Sequence, residues 1–265
     1  MKTLAGAALL GLVLVAVASS AAPPPTVTPG RLTVGVALPS EGFEVGIVKG
    51  PRVLYAQGFD IDLARAIARR LGLPRVDFLQ SRFDRLFSSG AKPWDVAVAQ
   101  ITITRRRRAT ADFTRPYLQV DQGVLLAQTV RPVPRTIAGL RPLRICAIRK
   151  TTGADAASAR IRPTRPVILI GNVSTLMLNV QTGRCQAVVY DAPTLGTAKA
   201  QAPSRYGPFV GVLRTREQYG IALPKGSPLL GPVDAALAAL IANGTIKRLE
   251  RTWLTTDLSK LPVLG

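Results

Sequence analysis

Gly58-Phe59-Asp60-Ile61-Asp62-Leu63 runs without a break into Ala64-Arg65-Ala66-Ile67-Ala68-Arg69-Arg70-Leu71-Gly72. Ile61, Leu63, Ala64, Ile67, Ala68 and Leu71 fall on one helical stripe, and Gly72 is the residue type that closes a helix. Asp60 and Asp62 lie in the first turn, where negative charge suits the helix dipole. The spacing predicts a helix over 58–71 with one apolar face. Upstream, Leu32-Thr33-Val34-Gly35-Val36 reads as a strand rich in β-branched residues, ended by Pro39. Downstream come a short strand (Val76-Asp77-Phe78-Leu79), a helix over 83–89, and an apolar strand (Asp95-Val96-Ala97-Val98-Ala99). This alternation predicts a parallel sheet with helices on its faces.

The order then repeats. Leu143-Arg144-Ile145-Cys146-Ala147-Ile148 is a predicted strand, followed by a helix over 153–160. Val167-Ile168-Leu169-Ile170 is the next strand, followed by a helix over 173–183, and Ala187-Val188-Val189-Tyr190 is the third. From Gly220 onward a strand, a helix over 233–242 and a short helix after Asn243-Gly244-Thr245 complete the chain. Two α/β units of similar build, joined near 117–121, predict two lobes on a hinge. A cleft between lobes is a natural small-molecule site, and sites in open α/β sheets lie beyond the carboxyl ends of the strands.

The N-terminus reads as a leader. Lys2 supplies a positive start, Leu4 to Val17 an apolar run too short to span comfortably, and Ala18-Ser19-Ser20-Ala21-Ala22 the small residues a signal peptidase accepts. A polar, Pro-rich stretch follows, with no second apolar run of spanning length. A leader over 1–21, a linker over 22–30 and export to the periplasm are expected; no cysteine stands near the cleavage point to carry a lipid anchor. About 240 residues then remain, one large domain or two of ordinary size. In an oxidising compartment Cys146 and Cys185 can form one disulfide; two buried free thiols are the alternative. Neither has metal-ligand spacing, and the chain has no histidine, which excludes histidine zinc sites and histidine general bases. The formal charge of +20 is mostly arginine spread along the chain, without interleaved aromatics to stack bases. With the export signal, this reads as a general basic surface, with no nucleic-acid partner, cofactor or metal expected.

Three segments carry a resemblance. One is the stretch at 58–63. The second is Ile101-Thr102-Ile103-Thr104 with Arg107, then Asp112-Phe113-Thr114-Arg115-Pro116-Tyr117. The third is Tyr219-Gly220-Ile221-Ala222-Leu223-Pro224-Lys225-Gly226-Ser227. From Arg31 to Leu254 the chain resembles the family-3 solute-binding proteins, periplasmic receptors that hand polar amino acids to ABC importers. The resemblance implies the α/β, two-lobed type II periplasmic binding fold, each lobe a sheet with flanking helices, on a hinge of two crossover strands. It implies that the chain crosses back, so that 31–117 and 220–265 form the first lobe, 122–214 the second, and 118–121 with 215–219 the hinge. The expected partners are a free amino acid and an inner-membrane ABC permease, with the chain acting as a monomer.

The same resemblance assigns the site. Thr104 is a candidate N-cap, which puts Arg105 to Arg108 in a first turn, where cations oppose the dipole and one another. Arg105, Arg106 and Arg108 read as a solvated basic face; the first two stand where the family commonly has acids. Arg107 falls on the carboxylate-binding arginine, whose planar fork can make two charge-assisted hydrogen bonds. Thr102 would add its hydroxyl and amide to that carboxylate, and Thr152 and Gly153 the free amides of a helix start. Gln100 would offer its backbone carbonyl to the ligand amine. Asp191, in Val189-Tyr190-Asp191-Ala192-Pro193, matches the acid that receives the α-ammonium; a helix cap is the alternative. Ala37 stands where the family often has an acid that reads the ligand side chain, and Arg149 where it often has a basic or polar group. That pair predicts Glu, Asp or Gln as ligand rather than Lys, Arg or ornithine. Phe43 matches an aromatic wall of the pocket, with core packing as the alternative, and Phe83 is a second candidate. The pair Cys146 and Cys185 resembles a disulfide of some relatives. The chain is expected not to be an enzyme. The alternatives are a cyclohexadienyl dehydratase-like enzyme, with Glu41, Glu44 or Asp191 as its acid, and a soluble amino-acid sensor.

Overall fold

The computed structural model describes residues 24–254 and 260–265; the expected leader lies outside them. In chain order the strands are β1 (Arg31–Val36), β2 (Val45–Lys49), β3 (Arg52–Gln57), β4 (Arg75–Gln80), β5 (Val96–Ala97), β6 (Ala111–Phe113), β7 (Leu118–Leu126), β8 (Ile145–Ile148), β9 (Ile168–Ile170), β10 (Ala187–Asp191), β11 (Phe209–Tyr219) and β12 (Ala222–Pro224). The helices are α1 (Phe59–Arg70), α2 (Arg105–Arg108), α3 (Ile137–Leu140), α4 (Thr152–Ala156), α5 (Val173–Gln181), α6 (Ala192–Gln201), α7 (Leu230–Ala242) and α8 (Thr245–Trp253). They build two α/β lobes. One holds a seven-stranded sheet ordered β2-β3-β4-β1-β5-β12-β6, the other a five-stranded sheet ordered β11-β7-β10-β8-β9.

Apolar runs fix the sheet centres. In β1 every residue after Arg31 is buried, and the strand pairs in parallel with β4 and β5. All five residues of β10 are buried between parallel β8 and antiparallel β7. Strands covered on both faces must be apolar on both, which is why these segments run continuously rather than alternate. The stripe on α1 (Ile61, Leu63, Ala64, Ile67) packs into the first core with Val233 and Leu237 of α7 and Ile246 of α8. A separate cluster around Leu125, Ile145, Leu176 and Val188 forms the second core. The chain crosses between lobes along β7 and β11, which pair with each other from Leu118↔Tyr219 to Val120↔Glu217. The register then shifts between Glu217 and Leu213, and Arg216 takes a left-handed φ of 51°.

Several expectations are corrected. The helix over 83–89 shrinks to one 3-10 turn, Phe83–Arg85. Leu86 and Phe87 are buried with Trp94 in a small third cluster. The β2–β3 hairpin lacked a readable alternation because Ile47, Val48, Leu54 and Tyr55 all stay exposed. Helix α6 carries no helical period in its sequence, because its first seven residues are all buried and leave no polar face to set one. The chain end differs too. Val263 bridges Val212 and Leu264 inserts into the second core, so these last residues pack on the second lobe rather than the first.

Cys146 and Cys185 are disulfide-bonded, with Cα atoms 5.8 Å apart. The bond ties β8 to the segment entering β10, its parallel neighbour. It closes a stretch with a sequence separation of 39. By the loop-entropy relation such a closure is worth about 4 kcal/mol, and native disulfides typically contribute about 2–4. Replacing both cysteines by serine is expected to lower the melting temperature by roughly 5–15 °C, at about 2–4 °C per kcal/mol for a chain of this size. Thermal melts of the wild type with and without reductant, beside the double variant, measure this.

Candidate functional site

The first wall of the cleft is the turn after β5. Gln100 sits there with φ 51°, a left-handed conformation uncommon for a residue with a side chain. Its amide donates to Asp60 Oδ2 at 2.8 Å, and Tyr117 Oη donates to Asp60 Oδ1 at 2.9 Å. Asp60 is therefore a buttress under this turn as well as a first-turn residue of α1. Burial pushes its carboxyl up to about 7, against the pull of those two hydrogen bonds. The Gln100 side chain bridges the lobes: its Oε1 accepts from Ser40 Oγ of its own lobe at 2.9 Å and from Thr194 Oγ1 of the other at 2.8 Å.

Thr104 caps α2 as expected, its hydroxyl accepting from the Arg107 amide at 3.1 Å. With the turn fixed, Arg105, Arg106 and Arg108 project to solvent and Arg107 points inward, 4% exposed. Its guanidinium lies over the rings of Phe87 (4.4 Å) and Phe83 (5.1 Å). Phe83, in the 3-10 turn, and Phe87, beyond it, together form a slot for a planar cation. Nη1 donates to the Thr102 carbonyl at 2.9 Å and Nη2 to the Lys150 carbonyl, across the lobes, at 3.4 Å. Burial lowers its pKa, opposed by the nearby charges of Asp191 and Glu217.

From the second lobe, Thr151 caps α4, its hydroxyl accepting from the Ala154 amide at 3.3 Å. Thr152 Oγ1 and Thr102 Oγ1 both donate to Glu217 Oε2, at 2.6 and 2.8 Å. A Cβ on Gly153 would stand 2.7 Å from Gln122 Oε1 and 3.2 Å from the Val189 carbonyl, so a larger residue would have to push on β7 and β10 where α4 approaches them. Asp191 stands at the N-cap of α6 but makes no capping bond. Its carboxylate instead accepts from Gln122 Nε2 at 2.5 Å and Tyr219 Oη at 2.5 Å. Burial, then the Glu217 charge, push it up to about 7. Gln122 Nε2 also reaches Glu217 Oε1 at 3.1 Å.

Arg107, Thr102, Thr152, Gly153 and Asp191 are thus brought together, with Gln100 beside them at the lobe contact. Arg149 is separate: it is exposed on the rim of the interlobe cavity, with Nη2 3.5 Å from the Leu169 carbonyl. Phe43 is corrected. It is wholly buried, packs edge-on against Phe59 and Tyr219, and does not line the cavity. The structure adds Glu217, Gln122 and Tyr219, residues in or near the expected hinge to which the sequence assigns no role. It also places Glu44 beside Ala37, whose amide lies 3.3 Å from both Glu44 carboxylate oxygens. Burial, then Asp60, push Glu44 well above the usual carboxylate range.

A cavity of about 710 Å³ opens between the lobes, lined by Ser40, Glu44, Gln80, Arg82, Phe83, Asp84, Gln100, Arg149, Lys150, Thr151, Asn172 and Tyr190 among others. Lys150 Nζ bridges the lobes to Asp84 at 2.7 Å and holds that carboxyl below its ordinary range. A second, more open cavity of about 430 Å³ lies behind Thr102, Thr152 and Glu217. Among the described residues no group of acids and cysteines is arranged to hold a metal ion.

Residues 32–256 match the family described as bacterial extracellular solute-binding proteins, family 3. Similar curated proteins include the L-arginine-binding protein of Pseudomonas aeruginosa, 28% identical over 76% of this chain and 80% of its own. The ABC transporter glutamine-binding protein GlnH of Bacillus subtilis is 26% identical over 79% of this chain and 77% of its own. Among solved structures, a mutant of ArgBP from T. maritima is 30% identical, with a TM-score of 0.73 over 86% of this chain and 96% of that one.

Proposed function

Because the chain belongs to the bacterial extracellular solute-binding proteins of family 3, we propose that it carries a free α-amino acid between its lobes as the soluble receptor of an ABC importer. One observation supports this most. Among the described residues, the hydrogen bonds of the buried Arg107 fork go only to backbone carbonyls, those of Thr102 and Lys150. A guanidinium taken out of water and given only neutral acceptors favours an incoming carboxylate. Thr102, Thr152 and the amide of Gly153 supply further donors to that carboxylate. Asp191, with the Gln100 carbonyl, receives the ammonium. The ligand side chain extends into the interlobe cavity. There Asp84 is already engaged by Lys150 and Arg82, while Arg149 keeps only a long bond to a carbonyl. The excess of cations favours an acidic or amide side chain. Relatives named for arginine and for glutamine make this choice open to direct test.

Calorimetric titration of the refolded protein against the twenty amino acids tests it. Glutamine, glutamate or aspartate is expected to bind at least tenfold more tightly than arginine or lysine. Arginine or lysine binding best would reject the side-chain assignment and leave the receptor in place. Glu44 favours a second reading. A buried acid with a raised pKa on a cleft wall is what a dehydratase of the cyclohexadienyl type needs as general acid. Release of phenylpyruvate from prephenate would establish that activity.

A further inference from the structure

We propose that Glu217 is a built-in carboxylate latch: it closes the two lobes on each other through the donors that the amino acid must take, and binding exchanges one carboxylate for the other. The inference rests on the receptor reading for the identity of the displacing ligand, and on the geometry alone for the latch.

Glu217 belongs to neither lobe. It lies on β11 where that strand crosses between them, paired with Val120. One oxygen, Oε2, accepts from Thr102 of the first lobe at 2.8 Å and from Thr152 of the second at 2.6 Å. Its other oxygen accepts from Gln122 Nε2 at 3.1 Å. Each bond is charge-assisted, and together they clamp the lobes across the cleft. The two hydroxyls are those assigned to the ligand carboxylate. Both carboxylates cannot hold them at once.

The inward aim of Glu217 is set by the backbone. The bulge in β11 and the left-handed Arg216 turn the side chain toward Thr102 and Thr152. Asp121 on the paired strand holds that bulge, accepting from the Arg216 amide at 2.7 Å and pairing with Arg214 at 3.3 Å. The latch also carries a cost that makes it releasable. Gln122 gives its donor contacts to Asp191 and Glu217, and its buried Oε1 has no partner among the described residues. A displaced carboxylate has a place to go. The second cavity borders Glu217 and is lined by Arg160 and Arg216.

A latch of this kind lowers apparent affinity in proportion to the fraction of molecules it holds shut; holding about nine in ten weakens binding about tenfold. Glu217→Ala and Glu217→Gln test it, the second keeping the side-chain shape should the first fold poorly. Two quantities are measured on protein unfolded and refolded to strip bound amino acid: the radius of gyration by small-angle scattering, and affinity for L-glutamine by calorimetry. The expected result is a larger radius of gyration in both variants and binding tightened tenfold or more in the alanine variant. An unchanged radius in both variants overturns the latch. Weakened binding also overturns it, because Glu217 would then be holding the ligand. A radius that grows while no amino acid binds even the wild type upholds the latch and removes the receptor reading instead.

Discussion

Arg107→Ala is expected to weaken amino-acid binding by about 10²–10⁴-fold while leaving the protein folded. Each hydrogen bond from a guanidinium to a carboxylate is worth about 1.5–3 kcal/mol, and the fork supplies two. The fold depends on Arg107 far less than the ligand does. Its internal partners are two carbonyl oxygens and the faces of Phe83 and Phe87, and removing a buried charge relieves its own desolvation. Arg107→Lys keeps the charge but loses the planar fork and the stacking between the rings, so it is expected to recover only a minor part of the affinity. Calorimetry gives the affinities, and circular dichroism checks the fold.

The second large effect belongs to Asp191. Burial and the neighbouring Glu217 charge push its carboxyl up to about 7, so near pH 6 most molecules hold it protonated. An α-ammonium binds the ionised form. Binding at pH below about 7 must therefore expel a proton, and affinity is expected to rise as pH increases through that range, by up to about tenfold per unit, then level off. The amino acid itself keeps its ammonium through this window. Asp191→Asn removes both the charge and the proton. It is expected to bind about 10²-fold more weakly at pH 8, as truncating one side of a buried charge pair does, and to show no rise between pH 5.5 and 8. Titrations in two buffers of different ionisation enthalpy count the proton released. A wild-type affinity flat with pH would place the ammonium elsewhere.

The reach of the sequence can be judged residue by residue. The stripe on α1 and the continuous apolar runs of β1 and β10 identified two α/β units because burial on both faces leaves little choice of residue type. Thr104 was legible as a cap from its residue type, but the choice of Arg107 among four arginines rests on the resemblance alone; the structure shows the capped turn burying Arg107 and no other residue of α2. Phe43 was ambiguous because a large aromatic serves a core and a pocket wall equally well; its contacts with Phe59 and Tyr219 decide for the core. Phe83 and Phe87 read as part of a helix, since local pattern cannot show that a cation 5.1 Å from one ring and 4.4 Å from the other will claim them. Glu217 was hidden for a different reason. Its direction depends on a bulge and on one left-handed residue, Arg216, whose type does not advertise that conformation. Asp60 was read through the dipole of its own helix, and its bond to the Gln100 amide joins segments far apart in the chain.

The most direct test of the carboxylate–arginine contact pairs a change in the protein with a change in the ligand. The best-bound amino acid and its α-carboxamide, which lacks the carboxylate, are titrated into wild type and Arg107→Ala. If Arg107 holds the carboxylate, the carboxamide binds wild type at least about 10²-fold more weakly, and the same change in ligand costs the variant less than about threefold, giving a coupling of roughly 2 kcal/mol or more. Equal losses in both proteins would mean that the carboxylate is held by something other than Arg107, and the clamp would have to be abandoned.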